Sequence, residues 1–514
     1  MHPKSERAVF RCRVTLAAII ASAAVLGPVN VSGATVPVPP GGNLQAALNA
    51  ARPGDIIELA AGATYVGNFV LPAGPSGETY ITVRTMADPQ LPAAGARIQP
   101  ADAPRLAKLG SPNNQPALQT AAGAHHWRLE LLEFLPNEEP SGAIVSFGEG
   151  SSAQSQLTQV PHDIVLDRAF VHGHPTNGQR RGIALNSAST TITGCYISEI
   201  KAIGFEAQAI GGWNGPGPFT ITNNYLEAAG ENVMFGGSDP SIPNLVPGDI
   251  TITGNKLSRP VAWRGQKWEI KNILELKNAR KVTITDNILE NNWQAAQAGF
   301  AVLFTVRNQN GRCDWCQVED VVFERNVVQH SGGGISILGH DDERKSEQTR
   351  NIAVRNNLFL DIDNEHWGGS GYFMLLTGAP RDIVVDHNTI IQPHSSGFVQ
   401  VEGPPIAGFV FTNNIVRQGA YGIMGTNHAP GADTIRAYLP AAVITHNVIA
   451  DGAADRYPSG NQFPPFAEFR NQFAHYDSGD FRLSGSSGWK QAGTDRTRLG
   501  ADVSSLPATA GADR

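Results

Sequence analysis

Three short segments, around residues 273–277, 302–307 and 335–340, carry side chains whose types and spacing suit proton abstraction. Pleating sends alternate residues to opposite faces. With Leu274, Leu276, Val302, Phe304, Val306, Ile335 and Ile337 inward, the outward positions are Glu275 and Lys277, then Thr305 and Arg307, then Ser336, Leu338 and His340. If neighbouring strands end level, Lys277, Arg307 and His340 form a row spaced by about 5 Å. Stacked cations repel and depress one another's pKa, so the row has no evident structural benefit. It suits removal of a weakly acidic proton beside a carboxylate, with Lys277 as base, Arg307 as a planar fork for the carboxylate and His340 as a third catalytic group. That is β-elimination in a uronate-containing polysaccharide, where positive charge must also meet the negative charge that develops. The competing reading is an ordinary solvated face.

Glu231, Asp239 and Glu275 are candidate oxygen ligands for a cation, with calcium the one expected. Turn capping is the alternative for Glu231 and Asp239. A glycoside hydrolase would need two carboxyl groups, one of them protonated; Asp341 with Asp342 and Asp361 with Asp363 are the tight acidic pairs on this side. A non-catalytic carbohydrate-binding surface or adhesin would use Trp213, Trp263, Trp268, Trp293 and Trp367 as a stacking platform. In the lyase reading these tryptophans, Trp268 and Trp293 among them, line subsites, and packing under loops is the third possibility.

The elements that must hold these residues are marked by asparagine. Asn224, Asn255, Asn287, Asn326, Asn357, Asn388, Asn414 and Asn447 each follow a short apolar strand in an apolar-x-x-Asn-x-apolar window, as in Ile252-Thr-Gly-Asn255-Lys-Leu and Ile444-Thr-His-Asn447-Val-Ile. A period in the twenties to forties indicates a solenoid or a propeller. Coils of roughly 30 residues with one Asn turn fit a parallel β-helix better than four-stranded blades. Coils then stack at about 4.8 Å and their amides form a ladder. The expected fold is all-β, a right-handed parallel β-helix whose amphipathic helix at Asn43–Ala51 caps the N-terminal end.

The 514 residues include 55 Gly, 34 Pro and 17% charged residues, as suits a turn-rich all-β chain with a long core. Lys4, Arg7, Arg11 and Arg13 precede an apolar run from Val14 to Gly27, and Ser32-Gly-Ala34 offers a cleavage site. Residues 1–34 are therefore expected to be a signal peptide, with the mature chain secreted or periplasmic. The run is shorter than a bilayer span, so stable membrane insertion is not expected. Removing that segment takes the net charge of −7 to −10, which argues against nucleic acid but leaves room for a local basic groove that binds an acidic polysaccharide. Residues 35–160 read as the cap and irregular early coils, 161–455 as regular coils, and 456–514 as a last irregular coil with a flexible end. A monomer is expected. Cys195 occupies the Asn position of an early coil and is expected to be buried and inert. Cys313 and Cys316 are expected to form a disulfide in a solvent-facing insertion.

Together the Asn turns, the helix followed by Pro53-Gly-Asp55, and the closing Asp480-Phe-Arg-Leu and Leu499-Gly-Ala-Asp502 segments resemble the right-handed β-helix proteins of the pectate-lyase-like superfamily. Locally, Ile273-Leu-Glu-Leu-Lys277 and Leu303-Phe-Thr-Val-Arg307-Asn308 resemble the catalytic stretch of the alginate and chondroitin lyase family. The resemblance implies that Lys277 is the base, that Arg307 assists as acid, and that bound calcium neutralises the uronate. Asn308 stands where that family carries a histidine, and is assigned with Trp268 and Trp293 to substrate contact.

Overall fold

The computed structural model describes residues 33–74 and 77–508, so all but the last two residues of the expected signal peptide lie outside it. The coils stack into three parallel sheets of 14, 13 and 12 strands, each complete coil contributing one strand to each sheet. We call them the first, second and third sheets in the order the chain visits them. Inward residues such as Leu276, Phe304 and Ile337 are fully buried and aligned on successive coils of the third sheet. One continuous apolar column runs from Val38 to Tyr457, with Leu44 and Leu48 of the helix Leu44–Ala50 at its N-terminal end. Among the described residues no helix is long and apolar enough to cross a membrane.

The asparagines form the ladder the repeat implies. From Asn224 to Asn447 each side-chain amide donates to the Oδ1 of the next, at 2.9 to 3.1 Å, and the same oxygen also accepts the preceding asparagine's backbone N–H. The local cause is a recurring left-handed residue just before each ladder position, including Asn223, Asp286, Arg325, Asn356 and His446. That residue turns the chain between the first and second sheets and leaves the amide pointing along the stack. Asn461 adds a final rung, receiving Asn447 without belonging to the regular repeat.

Two expectations are sharpened and one is corrected. Parallel stacking in the first sheet begins at Thr35–Val38, so the early coils, with their expected insertions, belong to the same sheets as the later ones. The C-terminal segment is not loose up to residue 508. Phe469, Phe473, Phe481, Trp489 and Leu499 cover an apolar row on the outside of the second sheet, Val327, Leu358, Ile391, Ile415 and Val448. Cys313 and Cys316 are disulfide-bonded, with Cα atoms 5.2 Å apart, yet both are buried in the central core. Their loop folds inward because its own hydrogen bonds draw it there: Asn308 Oδ1 accepts Cys313 N–H, and Asp239 Oδ2 accepts Asn310 and Arg312 N–H.

Candidate functional site

The outward face of the third sheet carries a polar line across five coils. Arg181 donates through Nε and Nη2 to Gln208 Oε1 at 3.0 and 2.8 Å, and Gln208 Nε2 donates to Glu231 Oε2 at 3.0 Å. These three residues pair in register on adjacent strands. On the next coil Asn272 Nδ2 donates to Glu275 Oε2 at 2.9 Å, and on the one after Thr305 Oγ1 donates to Glu275 Oε1 at 3.2 Å. Lys277 Nζ lies 3.5 Å from Glu275 Oε1. Glu275, Lys277, Thr305, Arg307 and Ser336 line a cleft of about 370 Å³. A second cleft of the same size holds Arg181, Glu206, Gln208 and Trp213. Gly236 lies between them: at φ +99° its missing Cβ would come within 2.7 Å of the Lys277 Cβ, so only glycine lets the lysine settle there.

The electrostatics differ from the expected row of cations. Burial would lower the Lys277 pKa, but Glu275, Glu206 and Glu231 outweigh it and hold the ammonium above its ordinary value. Glu231 is fully buried; burial, then Glu275 and Glu206, push its pKa up to about 8. Its Oε1 and the Oδ1 of Asn272 are buried without a hydrogen-bond partner. Arg307 is anchored through Nη1 to Asp341 at 2.8 Å and Asp342 at 2.6 Å, which raises its pKa against the effect of burial.

Leu276 pairs with Phe304 and Thr305 with Leu338, and at the strand exits Arg307 N–H donates to Lys277 O at 2.9 Å, so the two backbones meet at these residues. Arg307 reaches the Lys277 cleft. His340 does not: it is exposed at the strand exit, outside the residues lining that cleft. Asp239 Oδ2 accepts the Asn310 and Arg312 N–H groups of the disulfide loop, while its Oδ1 is buried without a partner. Asn308 is buried, donating to Lys345 O and receiving Cys313 N–H, so it is a loop tie and not a substrate contact.

Trp268 and Trp293 are likewise buried, packed with Trp263, Ile270 and Ala229 under a loop, with the Lys201 ammonium over Trp263 and Trp268. Trp213 is the tryptophan beside the groove, with the Arg181 guanidinium 4.8 Å from its ring centre. Of the tight acidic pairs, Asp341 and Asp342 hold Arg307 at the Lys277 cleft, which Asp342 also lines, whereas Asp361 meets His330 and Trp367, and Asp363 meets His366 and His394. Gln208, Glu206, Asn272 and Arg181 were missed from sequence. Third-sheet strands carry no asparagine marker by which their register could be counted.

No protein-family model matches the chain, and no curated protein is similar to it in sequence. Among solved structures, a PL6-family alginate lyase, AlyGC, is similar with a TM-score of 0.53 and 14% identity, over 91% of this chain and 58% of that one. The chain thus spans less than two thirds of that protein. A mannuronic-acid-specific family 6 lyase from human gut microbiota gives 0.42 and 14% over 84% of each chain. A GH87 α-1,3-glucanase from Streptomyces thermodiastaticus gives 0.47 and 12%, over 84% of this chain and 70% of that one. The asparagine ladder, the three parallel sheets and the AlyGC likeness agree on the fold, and the chain is a right-handed parallel β-helix.

Proposed function

We propose that the chain is an exported polysaccharide lyase that cleaves a uronate-containing chain by β-elimination, the signal-like residues 1–34 directing export. The observation that carries the reading is Lys277: a largely buried lysine on the floor of an open cleft, set among three carboxylates, with an arginine lining the same cleft. A structural ion pair needs one carboxylate partner, and Lys271 already pairs with Glu206.

In this reading Arg307 binds the uronate carboxylate. Its Nη1 is held by Asp341 and Asp342, while Nε and Nη2 have no partner among the described residues. Lys277, once neutral, takes the proton on C5. The buried oxygens of Glu231, Glu275 and Asn272 are the donor set a hard divalent cation accepts, and the unpartnered Glu231 Oε1 and Asn272 Oδ1 fit it. When bound, calcium would supply positive charge against the uronate and against the carboxylates that keep Lys277 protonated. Asp239 and His340 have no part in the proposal.

The test is a screen of the mature chain against alginate, pectate and glycosaminoglycans, following the ultraviolet absorbance of the unsaturated uronate that elimination creates. Alginate comes first because AlyGC is an alginate lyase. Reducing ends without that absorbance would point to a hydrolase, and saturable binding without products to an adhesin.

A further inference from the structure

A second cluster of ligating side chains lies well along the stack from Lys277, at the corner between the second and third sheets. The strands Leu358–Ile362 and Thr389–Ile391 pair with Leu360 opposite Ile391, so the register carried three residues on sets Asp363 beside His394. Asp363 also caps the short helix Asn364–Trp367. Its Oδ1 accepts the N–H of Glu365 at 2.7 Å and of His366 at 3.1 Å, which turns the His366 ring back onto the same carboxylate. Oδ2 meets His366 Nδ1 at 2.8 Å and His394 Nδ1 at 3.0 Å.

Among the described residues no lysine or arginine contacts this carboxylate, although its side chain is wholly buried. Both imidazoles open to solvent, and His394 lines a cleft of about 630 Å³ with Glu365, Gln392, Arg417 and Tyr421. Glu365 Oε2 lies 3.6 Å from His394 Nε2. Gln392, two residues before His394, is buried with its Oε1 unpartnered.

We propose that Asp363, His366 and His394 bind a borderline divalent cation of the zinc type. One ligand atom from each of the three already lies within 4.8 Å of the others. An ion with bonds of about 2.1 Å sets its donors roughly 3.3 Å apart, so small side-chain movements suffice. Two imidazole nitrogens and one carboxylate oxygen select zinc-like ions over calcium, which takes oxygen alone. Three protein ligands leave a coordination position toward the cleft for water or a substrate oxygen. The site bridges two coils and is separate from the carboxylates around Lys277, so it does not depend on the lyase reading.

The test is titration of the untagged, chelator-stripped full chain with Zn²⁺, and with Co²⁺ followed by its visible absorption, in excess Ca²⁺ to occupy the Glu231 and Glu275 cluster. We expect one equivalent bound at about micromolar affinity or tighter, and at least a roughly 100-fold loss in His366→Ala/His394→Ala and in Asp363→Asn. Both histidines are exposed, so the double variant should keep its fold, which the thermal melt checks. Binding only in the millimolar range, or unchanged binding by the folded double variant, would leave the cluster a hydrogen-bonded corner and overturn the proposal.

Discussion

At the residue scale the chemistry turns on how three carboxylates treat one lysine. Glu275, Glu206 and Glu231 keep Lys277 protonated beyond its usual range. A base must be neutral, so turnover should climb with pH on the alkaline side. Glu206→Gln removes one of those charges without touching the proposed cation ligands, and should move that limb to lower pH; an unmoved profile would separate Lys277 from the rate. Lys277→Ala should lose at least about 100-fold in turnover while folding normally, the range expected for a general base.

Glu231 offers a test that needs no substrate. Its pKa is raised from 4.5 to about 8, so in chelator the folded chain holds a proton that the unfolded chain has released between those values. The contribution is therefore complete below about pH 4.5 and is lost as pH rises through about 8. Denaturation curves across that window should show stability falling with pH, and Glu231→Gln should flatten the fall.

At the element scale the ladder is the device to probe. Asn326 Oδ1 accepts the backbone and side-chain N–H of Asn287, while its own amide reaches Asn357 Oδ1 and Ile284 O. Asn326→Ala strands buried donors and should cost about 2–4 kcal/mol in chemical denaturation, far more than the same change at the half-exposed Asn461. Cys195 occupies the rung before Asn224, where its Sγ already sits near Ala169 N, Leu166 O and Thr193 O. All the partners of an amide are in place, so Cys195→Asn should stabilise the chain by about 1 kcal/mol. A loss of stability would mean that the first rung lacks room.

At the scale of the whole molecule, the C-terminal segment shields five apolar side chains on the second sheet and is tied further back by Gly500 N–H to Asn413 O and Asp502 N–H to Asn356 Oδ1. Removing residues 464–514 keeps Asn461 as the last rung but bares that row. The truncated chain should bind hydrophobic dye and self-associate, since a contiguous exposed apolar patch of this kind is an aggregation surface. A monomeric product with an unchanged melt would show that the segment is dispensable.

The sequence by itself determined the β-helix, because a period-marked asparagine window can be counted without knowing what it touches. It also determined which side chains of strands such as Leu274–Leu276 face inward, because pleating has a fixed period of two. The pairing of Cys313 with Cys316 was legible from their closeness in sequence, but not their burial, which depends on Asp239 and Asn308 reaching the loop. The tertiary structure alone decided the third-sheet register, which brings Arg307 N–H onto Lys277 O and leaves His340 outside the cleft. It also decided the company Lys277 keeps. Glu275 stands two residues from Lys277 on the same face, but Glu206 and Glu231 lie 71 and 46 residues before it in sequence, and only the stacking of coils brings their charges to bear on the lysine.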